Sequence, residues 1–177
     1  MCLDFGRKAR NAGPVSILGS YTITGVDQEL IFSPNAIEYM RMQRQSKIWQ
    51  AEAGGQLFAK VTPCEIFVVE ATGPRATDVR TRTTYRPDRR AEQEEIHDRF
   101  KRGLVYVGDW HTHPDKLPSP SARDAHSMVE CFSKSRHNLR AFILVIVGSG
   151  SDWLDSFVAL YSGKGVLQML QGRGAKE

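Results

Sequence analysis

No run in this 177-residue sequence approaches the ~20 apolar residues of a membrane span, and residues 1–10 hold no apolar core of signal-peptide length. These absences predict a cytoplasmic protein. Cysteine is scarce. Cys2, Cys64 and Cys131 are scattered, odd in number and form no Cys-x-x-Cys pair, which predicts a reducing compartment and thiols at all three positions rather than a disulfide framework. Charge of neither sign dominates: 24 Lys and Arg against 20 Asp and Glu leave a net +4, too little for a dedicated nucleic-acid binder. There is no internal repeat and no low-complexity segment.

What is present fits one soluble domain. Hydrophobic residues make up 41% of the chain and charged residues 25%, and the length suits a single unit spanning 1–177, with a core over about 28–162 between two tails. Short strands are expected at 17–24 and 28–32. Ser33-Pro34 then caps a helix to about Gln45, with Ile37, Met40 and Ile48 on its apolar side. Segments 55–61 and 65–72 read as an antiparallel hairpin around Thr62-Pro63-Cys64. Residues 73–88 are polar, arginine-rich and aperiodic, and read as a long loop. The acidic residues from Glu92 to Asp98 nearly balance the arginines from Arg75 to Arg90, so a solvated surface is expected there rather than a phosphate patch. A charged helix follows from Pro87-Asp88 to Lys101, seated by Ile96 and Phe100. Ala141 to Val147 is a continuous apolar run, as in a strand buried on both faces, and 156–161 is a further strand. Residues 163–177 are expected to fray. Trp49, Trp110 and Trp153 are read as packing residues. The sum is an α/β domain, a mixed sheet flanked by helices.

The chemistry concentrates at His111-Thr112-His113-Pro114 and, after six residues, Ser121-Ala122-Arg123-Asp124. A strand enters the pair from Gly103, and residues i and i+2 of a strand share a face, so His111 and His113 can grip one ion. Pro114, Pro118 and Pro120 forbid an immediate helix. With Ser119 as cap and Pro120 at the first position, Ser121 and Asp124 would lie on one helical face and point a hydroxyl and a carboxylate at the metal. Two imidazoles and a carboxylate leave one coordination position open, as in catalytic zinc sites.

Hydrolysis of an amide also needs a base for the water's proton and an acid for the leaving amine. Glu52, ahead of Gly54-Gly55-Gln56-Leu57, is the candidate, with the two glycines allowing a sharp turn into the hairpin. Composition and spacing leave it equally open that Glu52 is a surface residue. Glu52 with Gly55 and Leu57, then Gly108-Asp109-Trp110-His111-Thr112-His113-Pro114 and Ser121-x-x-Asp124, resembles the JAMM metallopeptidases (MPN or JAB domains) over residues 30–162. Ala59 stands where the family often has glycine. The chain is most similar to the prokaryotic branch, and within it to the deconjugating peptidases of bacterial CBASS anti-phage operons.

The resemblance implies that His111, His113 and Asp124 bind Zn²⁺, that Glu52 is the general base and then the acid, and that Ser121 hydrogen-bonds the oxyanion. It implies as substrate the amide joining the C-terminus of a ubiquitin-like or similarly conjugated protein, in CBASS a cyclase, to its target. The tail would add as a strand beside the hairpin, with the 75–90 loop over it, so replacing Arg80, Arg82 and Arg86 with Ala should raise KM. Trimming of a sulfur-carrier tail is the alternative within the family. A degenerate scaffold is disfavoured by the complete ligand set. A nucleobase deaminase is excluded because Pro63-Cys64 has no second cysteine three residues on. Oligomeric state is not legible.

Overall fold

The computed structural model describes residues 19–25 and 27–171, so the expected N-terminal tail and the last six residues lie outside the described part. In chain order the elements are β1 (Ser20–Ile23), β2 (Gln28–Phe32), α1 (Pro34–Met42), β3 (Gly54–Val61), β4 (Glu65–Ala71), β5 (Val79–Thr81), β6 (Thr84–Arg86), α2 (Arg89–Lys101), β7 (Val105–Thr112), α3 (Ala122–Lys134), β8 (Phe142–Val147), β9 (Phe157–Ser162) and β10 (Gly165–Leu170). Eight strands form one mixed sheet in the order β1-β2-β4-β3-β7-β8-β9-β10, and β5-β6 is a separate hairpin. The pairs β2–β4 and β7–β8 are parallel, and the others in the large sheet are antiparallel. The mixed sheet with flanking helices is the α/β architecture expected. Among the described residues, no helix is long and apolar enough to cross a membrane.

The core divides by sheet face. On one face Met40 and Ala36 of α1 join Leu30, Leu57, Trp110 and Val145, with Trp153 stacked edge-on against Phe32. On the other, Met128 of α3 packs on Phe142, Leu144 and Ile146. All six side chains of β8 are buried, since alternate residues serve opposite faces. The sheet's two outer strands approach each other. The Gln168 side chain accepts from the Thr24 N–H at 2.8 Å and donates to the Thr22 carbonyl at 3.2 Å, bridging β10 to β1.

Several expectations need correction. The 73–88 segment contains the β5–β6 hairpin, whose strands bury little and so show no apolar alternation. Its chain reversal is the two residues between Thr81 and Thr84. The helix α1 stops at Met42, and Ile48 and Trp49 are exposed, Trp49 at 76%, so neither packs in the core. Phe100 is exposed as well. The residue that α2 buries is Glu92, and the helix is held largely by ion pairs. Residues 165–170 form β10 rather than fraying. Cys64 is disulfide-bonded, contrary to the expectation of three thiols, while Cys131 is free.

Candidate metal centre

The strand β7 delivers His111 from within the sheet and His113 just beyond its end, where the His113 N–H still donates to the Val147 carbonyl at 3.0 Å. The helix that follows begins two residues later than its prolines suggested. Ser121 is the cap, and Pro120 precedes it. A capping box closes the turn: the Asp124 N–H donates to Ser121 Oγ at 3.2 Å, while the Ser121 N–H and hydroxyl donate to Asp124 Oδ2 at 2.8 and 2.7 Å. The local need to cap α3 therefore also fixes the rotamer of Asp124. That carboxylate then reaches His111 Nε2 at 3.5 Å through one oxygen and His113 Nε2 at 3.6 Å through the other.

Glu52 arrives from the connection before β3. It is 9% exposed, and its carboxylate and the two imidazoles lie within 4.8 Å of one another. Its position rests on groups that the sequence alone does not reveal. The Glu52 N–H donates to the Thr81 carbonyl at 2.7 Å, and Arg80 Nε donates to the Glu52 carbonyl at 2.7 Å. Thr112, between the two histidines, accepts from the Ala53 N–H at 3.0 Å and donates to Gln45 Oε1 at 3.2 Å. Gln45 in turn donates to the Arg82 carbonyl at 2.9 Å. These partners are 28 to 67 residues apart in sequence, and no periodicity marks them.

Gly54 and Gly55 are present for close approach, not for a turn. Neither has a positive φ. A Cβ on Gly54 would sit 2.5 Å from the Tyr85 ring, and one on Gly55 would sit 1.7 Å from the Thr72 carbonyl oxygen. The Tyr85 ring thus packs against Gly54, the β3 residue paired with His111, with its hydroxyl donating to Asp78 at 2.9 Å.

The electrostatics follow from burial and from these contacts. Burial raises the Asp124 carboxyl, but the hydrogen bond and charge of His111, with the two Ser121 donors, outweigh it and hold the group well below the usual range. Burial and the neighbouring His111 push His113 down, which favours a neutral imidazole, and the Ser119 backbone hydrogen-bonds its ring. Burial raises Glu52, with Asp124 adding to the effect and His111 and Arg123 opposing it.

The two Nε2 atoms are 3.2 Å apart. An ion with ligand arms of about 2.0–2.1 Å in a tetrahedral set spaces its donors roughly 3.3 Å apart. The 3.2 Å separation of the imidazoles is of that size, and the Asp124 carboxylate approaches them at 3.5 and 3.6 Å with one oxygen each, so the three residues suit a small divalent cation. Two grooves flank the centre. One, of about 160 Å³, runs back along β7 between α2 and α3, past Asp109, Glu92 and Met128. The other, of about 260 Å³, runs outward past Thr83, Pro114 and Ser121. Glu52, Tyr85, Arg123 and Asp124 border both. Of the remaining histidines, His97 and His126 are exposed, and His137 packs between Phe132 and Phe142.

Two imidazoles and a carboxylate around one ion-sized gap, with a second carboxylate facing it, are the kind of donor set that a metal-dependent hydrolase needs. The chain belongs to the prokaryotic homologs of the JAB domain, whose family profile matches residues 35–159. It is 30% identical over 131 residues to a CD-NTase/cGAS isopeptidase of Enterobacter hormaechei subsp. hoffmannii, covering 73% of this chain and 72% of that one. It is 27% identical over 135 residues to a protein of the same name from Escherichia coli, covering 75% and 84%. A solution structure from Desulfitobacterium hafniense superposes with a TM-score of 0.56 at 18% identity, over 82% of this chain and 90% of that one, which shows the shared fold.

Proposed function

We propose that this protein is a zinc-dependent isopeptidase that releases a conjugated protein, a CD-NTase-type cyclase in a CBASS setting, from the target to which its C-terminus is joined. The observation that carries the reading is the convergence of His111, His113 and Asp124 at donor spacings of 3.2 to 3.6 Å, with the Glu52 carboxylate close to both imidazoles. The names of the relatives at 27–30% identity support the same chemistry and the same class of substrate.

His111, His113 and Asp124 would hold the ion. When bound, Zn²⁺ acidifies a water and polarises the scissile carbonyl. Glu52 takes a proton from the attacking water as its oxygen bonds to the carbonyl carbon. The same carboxyl then passes that proton to the leaving nitrogen as the C–N bond breaks. Burial of Glu52 suits both halves of this exchange, because a carboxyl raised above its ordinary value gains a proton more readily than an exposed one. Ser121 has two tasks. Its hydroxyl orients Asp124 at 2.7 Å, and it borders the outer groove, where turning toward the carbonyl oxygen would let it stabilise the developing negative charge. The tail would lie in the outer groove, between the β5–β6 hairpin and the start of α3.

Two variants test the assignment on a cyclase–protein conjugate. Glu52→Gln should keep about one zinc per chain by elemental analysis and lose cleavage by a factor of at least ~10³. His113→Ala should lose both metal and turnover. Full zinc occupancy in His113→Ala, or surviving turnover in Glu52→Gln, would defeat the respective role.

A further inference from the structure

The arginines near the centre fall into two groups. Most of the described arginines have a fixed partner. Arg75 is bound by Glu95 at 2.6 Å, Arg89 by Glu92 at 2.9 Å, Arg90 by Glu94, and Arg99 and Arg102 by Glu70. Arg80 is engaged by the carbonyls of Glu52 and Ala51. Arg82, Arg86 and Arg123 are different. All three are exposed, and among the described residues no side-chain hydrogen bond or ion pair engages their guanidinium groups. All three border the grooves beside the metal centre: Arg82 the outer one, Arg86 the inner one and Arg123 both. They come from opposite walls, Arg82 and Arg86 from the hairpin and Arg123 from the first turn of α3.

The carboxylates of the same grooves are mostly engaged internally. Glu92 is held by Arg89, Asp109 accepts from the Tyr106 hydroxyl at 2.9 Å, and Asp124 is held by Ser121 and the imidazoles. The positive charge of the walls is therefore available to a ligand, while most of the negative charge is not. Resting on the isopeptidase reading of this site, we propose that the groove selects an acidic segment, in which substrate residues flanking the scissile amide present carboxylates to Arg82, Arg86 and Arg123. Guanidinium suits this task because its planar fork matches a carboxylate with two parallel hydrogen bonds. A polypeptide is favoured over nucleic acid because Glu52 and Asp115 also line the grooves and would repel a continuous phosphate backbone, whereas alternating acidic side chains can avoid them.

The test is fluorescence anisotropy on the full-length, zinc-loaded Glu52→Gln protein. The probes are fluorescein-labelled peptides of alternating Gly-Glu, Gly-Ser and Gly-Lys, with a single-stranded oligothymidylate of similar length. The Gly-Glu peptide should bind at least about tenfold more tightly than Gly-Ser in low salt, and the gap should shrink at high salt. Adding Arg82→Ala, Arg86→Ala or Arg123→Ala should each raise Kd roughly threefold to fivefold, as expected for solvent-exposed pairs, and the triple replacement on the order of thirtyfold. Equal binding of Gly-Glu and Gly-Ser, or arginine-dependent binding of the oligonucleotide at least as tight as Gly-Glu, would overturn the proposal. Cleavage of a conjugate by the wild-type protein is scored separately. Turnover indifferent to tail charge removes the acidic preference and leaves the isopeptidase, whereas charge-selective binding without any cleavage removes the isopeptidase and leaves the binding groove.

Discussion

The β7–β8 pair and the β5–β6 hairpin face each other across the metal centre and are built in opposite ways. In the first, every side chain of β8 and most of β7 are buried, with Ile146 directly beside His111 in the parallel register. The second buries little and is fastened by Arg80, by the Thr81 carbonyl, by Gln45 and by the Tyr85 ring on Gly54. One side sets the imidazoles through the hydrophobic core. The other sets Glu52, the proposed base, through a polar latch. Fold stability and the alignment of Glu52 should therefore be separable, although the ligand atoms of Glu52, His111 and His113 lie within 4.8 Å of one another.

The sharpest way to break that comparison is on the core side. Ile146→Ala removes a fully buried side chain between β7 and α3 and should cost about 2–5 kcal/mol, read as a large fall in Tm. A small fall would mean that the core does not carry the imidazoles. At the junction, Thr112→Val keeps the shape but leaves the buried Ala53 N–H without its acceptor, for roughly 1–3 kcal/mol in a denaturant melt. On the latch side, Arg80→Ala should move stability by less than about 1 kcal/mol and leave metal content unchanged, yet lower kcat by about tenfold or more because Glu52 is no longer aligned. If that variant changes only KM, the hairpin is a substrate wall and not a support for the base.

The smallest effect concerns Glu92. Burial, with Asp109 beside it, raises its carboxyl to about 7, partly offset by Arg89 and Arg75. A carboxyl raised on folding contributes stability that is complete below its unfolded value, near 4.5, and is lost as pH climbs through about 7. The wild-type Tm should thus decline between pH 5 and pH 8, and Glu92→Gln should flatten that decline. An unchanged slope would show that another group titrates there.

The parts of the site that could be read in advance are those whose partners are close in sequence. His111, His113, Ser121 and Asp124 lie within fourteen residues, on a strand and a helix start that announce themselves by pattern. Even there, the cap fell on Ser121 and not on Ser119, because Asp124 supplies a reciprocal bond that a cap at Ser119 would not have. The fold was legible wherever apolar residues recur at a structural period, as in β8, and illegible where polar contacts do the holding. The β5–β6 hairpin and the seat of α2 on Arg75, Glu92 and Glu70 leave no hydrophobic trace. Trp49 and Phe100 mislead for the converse reason: a large apolar side chain is not proof of burial. Glu52 stood even with a surface residue until the family likeness favoured it, since its supports, Arg80 and Thr112, are assembled by the tertiary fold.

The bridge made by Gln168 has a consequence beyond local geometry. Its carboxamide occupies the place of a peptide unit from a ninth strand, satisfying an acceptor on β1 and a donor just past its end that would otherwise invite pairing with a neighbouring molecule. The β1 rim of the sheet is thereby guarded by a side chain of β10. Deleting the chain after Ser162 would strip away that guard together with β10, leaving two bare ladders and a protein prone to stack on itself in solution.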